Sequence, residues 1–424
     1  MTGCMERRLP ETLPVQSWMT QPATAKVMDA LARAGGLDAA RFVGGCVRNA
    51  LLRRPVADID IATTLMPDEV SAALQAADIR AIPTGIDHGT ITAVADGHPF
   101  EITTLRRDVE TDGRHAVVAF TTDWAEDAAR RDFNLNALYA DLGGRVFDPT
   151  GEGLADLHAG AIRFVGDPAA RIAEDALRIL RFFRFFAVYG RGEPDGAALA
   201  ACASASGLIA NLSVERVAKE LLGLLAADDP RPAVRLMAQA GVLGVVLPEA
   251  GPLAPFDTLV KIETEQLFTC DPLLRLAALL PNDPAVGAAT ATRLRLSNAQ
   301  RDRLEAALGV APPLVSWMSP RETRRAVWRL GVDAFTDHVM LAWAASDRPA
   351  ATPQWRALLP MAQTWPRPVF PLTGEDVIAA GVPEGPLVGK VMRQVEAWWI
   401  DQDFPDDKLS LIERLKAVAQ GMAY

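Results

Sequence analysis

Arg41 to Thr64 reads RFVGGCVRNALLRRPVADIDIATT. A short apolar approach, Phe42-Val43, meets Gly44-Gly45; a helical VRNALL segment, a loop around Pro55 and a strand-like run from Ala57 to Ala62 follow. On such a strand Asp58 and Asp60 point to one face and Ile59 and Ile61 to the other. Neighbouring carboxylates repel unless a cation lies between them, and Mg²⁺ held by one or two carboxylates plus substrate phosphates is a common solution. Gly44 and Gly45 let the backbone approach a ligand closely, with the N–H groups of the next helix available to phosphate oxygens. Taken singly, a Gly-Gly pair is most often a tight turn and a D-x-D a solvated strand edge. Their order and closeness within one stretch point instead to a nucleoside triphosphate site with its metal holder attached.

This combination resembles the catalytic head of the DNA polymerase β-like nucleotidyltransferases. Composition is compatible with that: 424 residues, half of them hydrophobic, allow several domains with substantial cores. With 43 Lys and Arg against 53 Asp and Glu the net charge is −10, which argues against a generic nucleic-acid coating protein but not against a local basic surface. Cys4, Cys46, Cys202 and Cys270 are far apart and show no C-x-x-C spacing, so neither a zinc site nor a disulfide framework is expected. A reducing, cytoplasmic setting is expected instead. The first residues carry charges and prolines where a signal peptide has an apolar core, and no apolar run is long enough to span a membrane.

Residues 1–22 are expected to form a loosely ordered arm, and TAKVMDALARA (24–34) an amphipathic helix ended by Gly35-Gly36. PDEVSAALQAA (67–77) has helix-start signals in Pro67 and its acidic first turn. Strands are expected over Gly89–Val94 and Phe100–Leu105, joined at Asp96-Gly97. Glu101 on the second strand is either a solvent-facing residue or a third carboxylate for the metal. Arg106 and Arg107 could meet phosphates, and 108–118 is expected to be a mobile loop. In Arg130-Arg131-Asp132-Phe133-Asn134-Leu135-Asn136, the arginines offer guanidinium forks for a triphosphate, and Asp132 with Asn136 a partner for a ribose hydroxyl.

GGCVRN…DIDIATT, GTITAV…FEITTLR and RRDFNLNAL together resemble the class II tRNA nucleotidyltransferases, the bacterial CCA-adding and poly(A) polymerase family. The resemblance implies an α+β chain: a nucleotidyltransferase head of mixed sheet and helices over 23–150, a helical neck over 151–230, and a helical body and tail over 231–424 that binds tRNA. It implies two Mg²⁺ ions at Asp58 and Asp60, CTP and ATP as substrates, and tRNA rather than DNA as partner. Gly44, Gly45, Arg48 and Arg131 would meet the triphosphate, and Asp132 and Asn136 the sugar. One departure is Asn49, where relatives more often carry Asp.

Residues 170–188 read as a helix with an apolar stripe at Ile172, Ala176, Ile179, Leu180 and Phe183, and with charges at Arg171, Glu174, Asp175, Arg178 and Arg181. The charges alone suit a solvated ladder. The family's E-D-x-x-R motif matches Glu174, Asp175 and Arg178, which implies base reading by side chains in place of a template. NLSVERVAKELLGLLAA (211–227) is expected to be a helix capped by Ser213. Beyond Pro230 the pattern is helical, with breaks near 248–255, 281–284, 311–313, 349–353 and 365–371. Arg321, Arg324, Arg325 and Arg329 share one helix face, and a turn at Gly385 opens a helix bearing Lys390; both are candidate RNA contacts. An appended HD phosphohydrolase domain is not expected, because beyond His158 the sequence holds only His338. Poly(A) polymerase activity, partial CC or A addition, and a non-catalytic RNA-binding role are the alternatives.

Overall fold

The computed structural model describes residues 12–111, 116–309, 314–346 and 348–421. The chain divides into two compact units, Met1–Pro248 and Glu249–Tyr424. The body expected from residue 231 therefore begins later: helix Arg231–Gln239 packs on helix Leu177–Tyr189 inside the first unit, with Ala233, Val234 and Met237 buried.

In the first unit the strands are β1 (Ala40–Val43), β2 (Asp60–Thr63), β3 (Arg80–Gly85), β4 (Thr90–Ala95), β5 (His98–Thr104), β6 (Arg106–Thr111), β7 (Ala116–Phe120), β8 (Tyr139–Ala140) and β9 (Val146–Phe147). One sheet runs β3-β4-β5-β2-β1-β8-β9, and β6 and β7 form a separate ribbon. Among the described residues only β2 and β5 are parallel neighbours, with Asp60 opposite Glu101 and Ile61 opposite Ile102. Side chains alternate along strands, so the isoleucines share one face and the two carboxylates the other. Helices Pro22–Gly35 and Pro67–Ala76 pack against β4, and Val27, Leu31, Val70 and Leu74 are buried along with Ile61 and Ile102. The expected mobile loop over 108–118 is instead largely the β6–β7 pairing, a backbone ladder indifferent to its charged side chains; residues 112–115 lie outside the described part.

The N-terminal arm is anchored from residue 12 onward. Leu13 is 1% exposed and its N–H donates to the Gly144 carbonyl at 2.6 Å, while Trp18 packs edge-on against Phe42. Gly144 has φ +86, and a Cβ there would lie 2.5 Å from the Leu13 carbonyl, so only glycine allows this approach.

The single helix expected over 170–188 is two, Pro168–Glu174 and Leu177–Tyr189. Asp175 is extended between them (φ −151, ψ 105) and accepts from the Leu177 N–H at 3.1 Å. Short acidic side chains favour such capping over helix interiors, which is why the apolar stripe did not carry the helix through. Phe133 packs on Phe164 and Phe185, and Phe164 on Phe182, joining the head to this helix; each aromatic pair adds about 1 kcal/mol beyond its burial. Ser213 stands at the N-cap of Val214–Leu225, but its side chain makes no cap hydrogen bond.

Every regular element among the described residues of the second unit is a helix. Breaks expected near 248–255, 281–284, 349–353 and 365–371 fall at helix ends, and 311–313 lies outside the described part. Glu263 and Arg275 form a buried ion pair at 2.6 Å, and Trp399 anchors an apolar cluster with Val377, Val391, Val395, Leu411 and Leu415. No helix among the described residues is long and apolar enough to cross a membrane.

Candidate active site

After β1 the chain turns at Gly44, whose φ of +68 lies in the left-handed region, and enters helix Gly45–Leu51. A Cβ at Gly44 would stand 3.7 Å from Arg131 Nη1, so that guanidinium lies beside the turn. Arg131 is held there by Asp127 at 2.9 Å and by the Tyr139 hydroxyl at 3.2 Å. Asp127 also accepts from Arg130 at 2.6 Å and from the Tyr139 hydroxyl at 2.7 Å. Burial would push the Asp127 carboxyl up, but Arg131 and Arg130 hold it down at about 2.

Asp58 and Asp60 are not both on the strand. β2 starts at Asp60, and Asp58 is exposed in the preceding loop, which corrects the shared strand face expected for the pair. The ladder explains it on one side: Phe42 pairs with Ile61, and beyond Val43 the Gly44 turn takes β1 away before Asp58 is reached. The carboxylate sharing the Asp60 face is Glu101, exposed on β5. Burial and then the facing Glu101 carboxylate push Asp60 up to about 6, against the pull of Arg131.

That donor set fits a hard divalent cation, which would relieve the crowded negative charge. Among the described residues no group of three or more His, Cys, Asp or Glu side chains forms a metal cage. An ion at Asp58 and Asp60 would therefore complete its shell with substrate oxygens, the manner in which Mg²⁺ is held in phosphoryl-transfer sites.

Asp132, in the bend before Phe133, is tied to helix Leu177–Tyr189. It accepts from Arg181 Nε at 2.7 Å, from Asn136 Nδ2 at 2.8 Å and from the Phe133 N–H at 2.8 Å. Burial opposes its ionisation, yet Arg181 and Asn136 keep the carboxyl below its usual range. Arg48, expected to reach the triphosphate, is 7% exposed. Its fork donates to Asn136 Oδ1, Asn49 Oδ1 and the Tyr189 hydroxyl, with one nitrogen 3.8 Å from where a Gly45 Cβ would be. Thus Asn49, the departure noted in sequence, is a direct acceptor for Arg48.

The base-reading candidates are separately braced. Glu174 binds Arg178 and Arg171, both at 2.5 Å, and Arg178 also donates to the Arg130 and Arg171 carbonyls. Asp175 pairs with Arg216 at 2.7 Å. Glu174 thus contacts Arg178 directly, whereas the sequence reading gave no place in the site to Arg216, Arg181, Asp127, Tyr139 and Tyr189. Arg181 and Tyr189 do extend the three- and four-residue spacing from Arg178, a signal the sequence carried.

The basic face in the second unit is mostly engaged. Arg324 pairs with Asp403, Arg325 donates to the Asp401 carbonyl at 2.8 Å, and Arg321 to the same carbonyl at 3.1 Å. These guanidiniums hold the C-terminal end of helix Pro386–Asp401, where cations are favoured. Of the candidate RNA contacts Arg324 and Arg325 are thus half-buried and engaged within the protein, while Arg321, Arg329 and Lys390 are exposed.

The family described as "Poly A polymerase head domain" matches residues 40–163, and "Probable RNA and SrmB- binding site of polymerase A" matches 194–252. A Mus musculus protein named CCA tRNA nucleotidyltransferase 1, mitochondrial, is 33% identical over 392 residues, covering 89% of this chain and 86% of the relative. The chain belongs to the CCA tRNA nucleotidyltransferase family. A CCA-adding enzyme of Levilactobacillus brevis is 30% identical over 429 residues, covering 95% of this chain and 98% of its own. The crystal structure of a Bacillus stearothermophilus CCA-adding enzyme in complex with CTP superposes with a TM-score of 0.73 at 25% identity, covering 95% of this chain and 100% of that one. Membership in this family accounts for the α+β head and the helical remainder together.

Proposed function

We propose that this chain adds C and A residues from CTP and ATP to the 3′ end of tRNA, without a nucleic-acid template and with release of pyrophosphate. The observation that carries the reading is the Asp60–Glu101 carboxylate pair on the sheet that leads into the Gly44 turn and Arg131. The names of the relatives support it.

Asp58 and Asp60 would hold Mg²⁺, with Glu101 adjoining. When bound, the metal supplies a lowered pKa at the tRNA 3′-hydroxyl and neutralises charge on the leaving pyrophosphate. Gly44 and Gly45 admit phosphate oxygens to the backbone, flanked by Arg131 and Arg48. Asp132 and Asn136 stand for the ribose. Asp175 and Arg178 offer an acceptor and donors to the Watson–Crick edge of the base. Cytosine and adenine both show an exocyclic amine beside a ring-nitrogen acceptor, whereas uracil and guanine present a carbonyl and an N–H there. One carboxylate and one guanidinium therefore admit the first two and reject the others. Arg329 and Lys390 are the candidate tRNA contacts. A cytoplasmic location is the reading that cysteine usage supports, although the mouse relative is named mitochondrial.

Purified protein given tRNA lacking its terminal nucleotides and each labelled NTP should add C and then A, stopping once CCA is complete. Open-ended A addition would overturn this in favour of a poly(A) polymerase.

A further inference from the structure

Helix Leu177–Tyr189 carries Arg178, Arg181, Phe185 and Tyr189 at intervals of three or four residues, so they stand in line on one face. Along roughly 16 Å of helix they engage the site in the order of a nucleotide's own parts. Arg178 lies against Glu174 at the base-reading end. Arg181 holds Asp132, the ribose candidate. Phe185 and Tyr189 lie against Arg48, next to the glycine turn.

At the phosphate end, the hydrogen bonds of Arg48 go to neutral acceptors. They are Asn49 Oδ1 at 3.0 and 3.2 Å, Asn136 Oδ1 at 2.5 Å and the Tyr189 hydroxyl at 2.7 Å. The Tyr189 ring centre is 4.2 Å from the guanidinium carbon, and the Tyr189 hydroxyl donates to Asn49 Oδ1 at 3.1 Å. A guanidinium fixed by neutral partners keeps its charge for an arriving anion, whereas a bonded carboxylate would offset it.

We propose that Tyr189 is a positioning residue for the nucleotide: together with Asn49 it fixes the Arg48 guanidinium beside the glycine turn, so that the helix carrying the base reader also sets the cation that receives the phosphates. This rests on the nucleotidyl-transfer reading above. The clamp acts on phosphates that CTP and ATP share, so it is indifferent to the base.

Tyr189→Phe keeps the ring and removes the hydroxyl. KM for CTP and KM for ATP are expected to rise by the same factor, about three- to tenfold, the worth of one hydrogen bond to a charged group. The kcat should stay within about twofold, KM for tRNA should not move, and the melting temperature should shift by no more than about 2 °C. Asn49→Ala should act alike, and the double variant should add less than the two factors multiplied, because both act through Arg48. An active wild type with unchanged nucleotide KM in Tyr189→Phe would overturn the inference, as would a fall in kcat alone or a rise for one nucleotide only. A wild type that incorporates nothing would instead sink the underlying reading.

Discussion

Asp60 on β2 and Glu101 on β5 stand directly opposite one another across a parallel ladder, two carboxylates on one face although far apart in the chain. Charge held together in this way is a cost of the fold that a bound cation would offset. Asp60→Asn is therefore expected to lower nucleotide incorporation on the order of 10³-fold. In chelator at neutral pH the same variant should melt higher than wild type, by the equivalent of about 1 kcal/mol, because one of two repelling charges is gone. The sign follows from the raised Asp60 value: the ionised carboxylate destabilises the fold as pH rises through about 6. A lower melting temperature in chelator would count against the repulsion.

Asp127 behaves oppositely. Its carboxyl lies at about 2 against an ordinary 3.8, so its contribution to stability is fully present above pH 3.8 and is lost as pH falls through about 2. Asp127→Asn should cost about 2 kcal/mol at neutral pH. Measured by denaturant unfolding, the gap between wild type and variant should narrow below about pH 4; a gap that stays constant to pH 2 would contradict the ion-pair account.

The base-reading pair is braced by an arginine that is remote in sequence. Arg216 binds Asp175 at 2.7 Å, while Glu174 holds Arg178. Arg216→Ala should leave Asp175 held only by the Leu177 N–H, lowering the preference for CTP over UTP about tenfold with a smaller loss in CTP turnover. Competition between the two nucleotides on one truncated tRNA measures this directly; unchanged selectivity would show that Asp175 keeps its orientation without Arg216.

In the second unit, two arginines of one helix should part company. Arg324 is bidentate to Asp403, and Arg324→Ala should cost about 1 kcal/mol of stability with little change in tRNA affinity. Arg329 is exposed, and Arg329→Ala should weaken tRNA binding and reduce its salt slope by about one while leaving stability alone. Filter binding across a salt series, paired with thermal unfolding, separates the two effects.

Much of this protein was legible in its residues. Gly44 had to be glycine, because the turn needs φ of +68, and Asp96-Gly97 forms the expected turn between β4 and β5 with φ of +50 and +79. Helices Pro22–Gly35 and Pro67–Ala76 begin and end close to their sequence signals. These are features of one element or one tight turn, where local backbone geometry decides the outcome.

Relations between elements were decided only by the tertiary structure. Asp58 left the strand because β1 turned away from it, and Glu101 became the neighbour of Asp60 because β5 lies parallel to β2. Arg324 and Arg325 met a helix end some eighty residues later instead of solvent, since docking two helices desolvates the arginines and aligns them with the carbonyls and carboxylates at that end. Local spacing specifies residue types and faces. Which face meets which is set by the packing of the whole sheet and its helices, a property that no window of sequence contains.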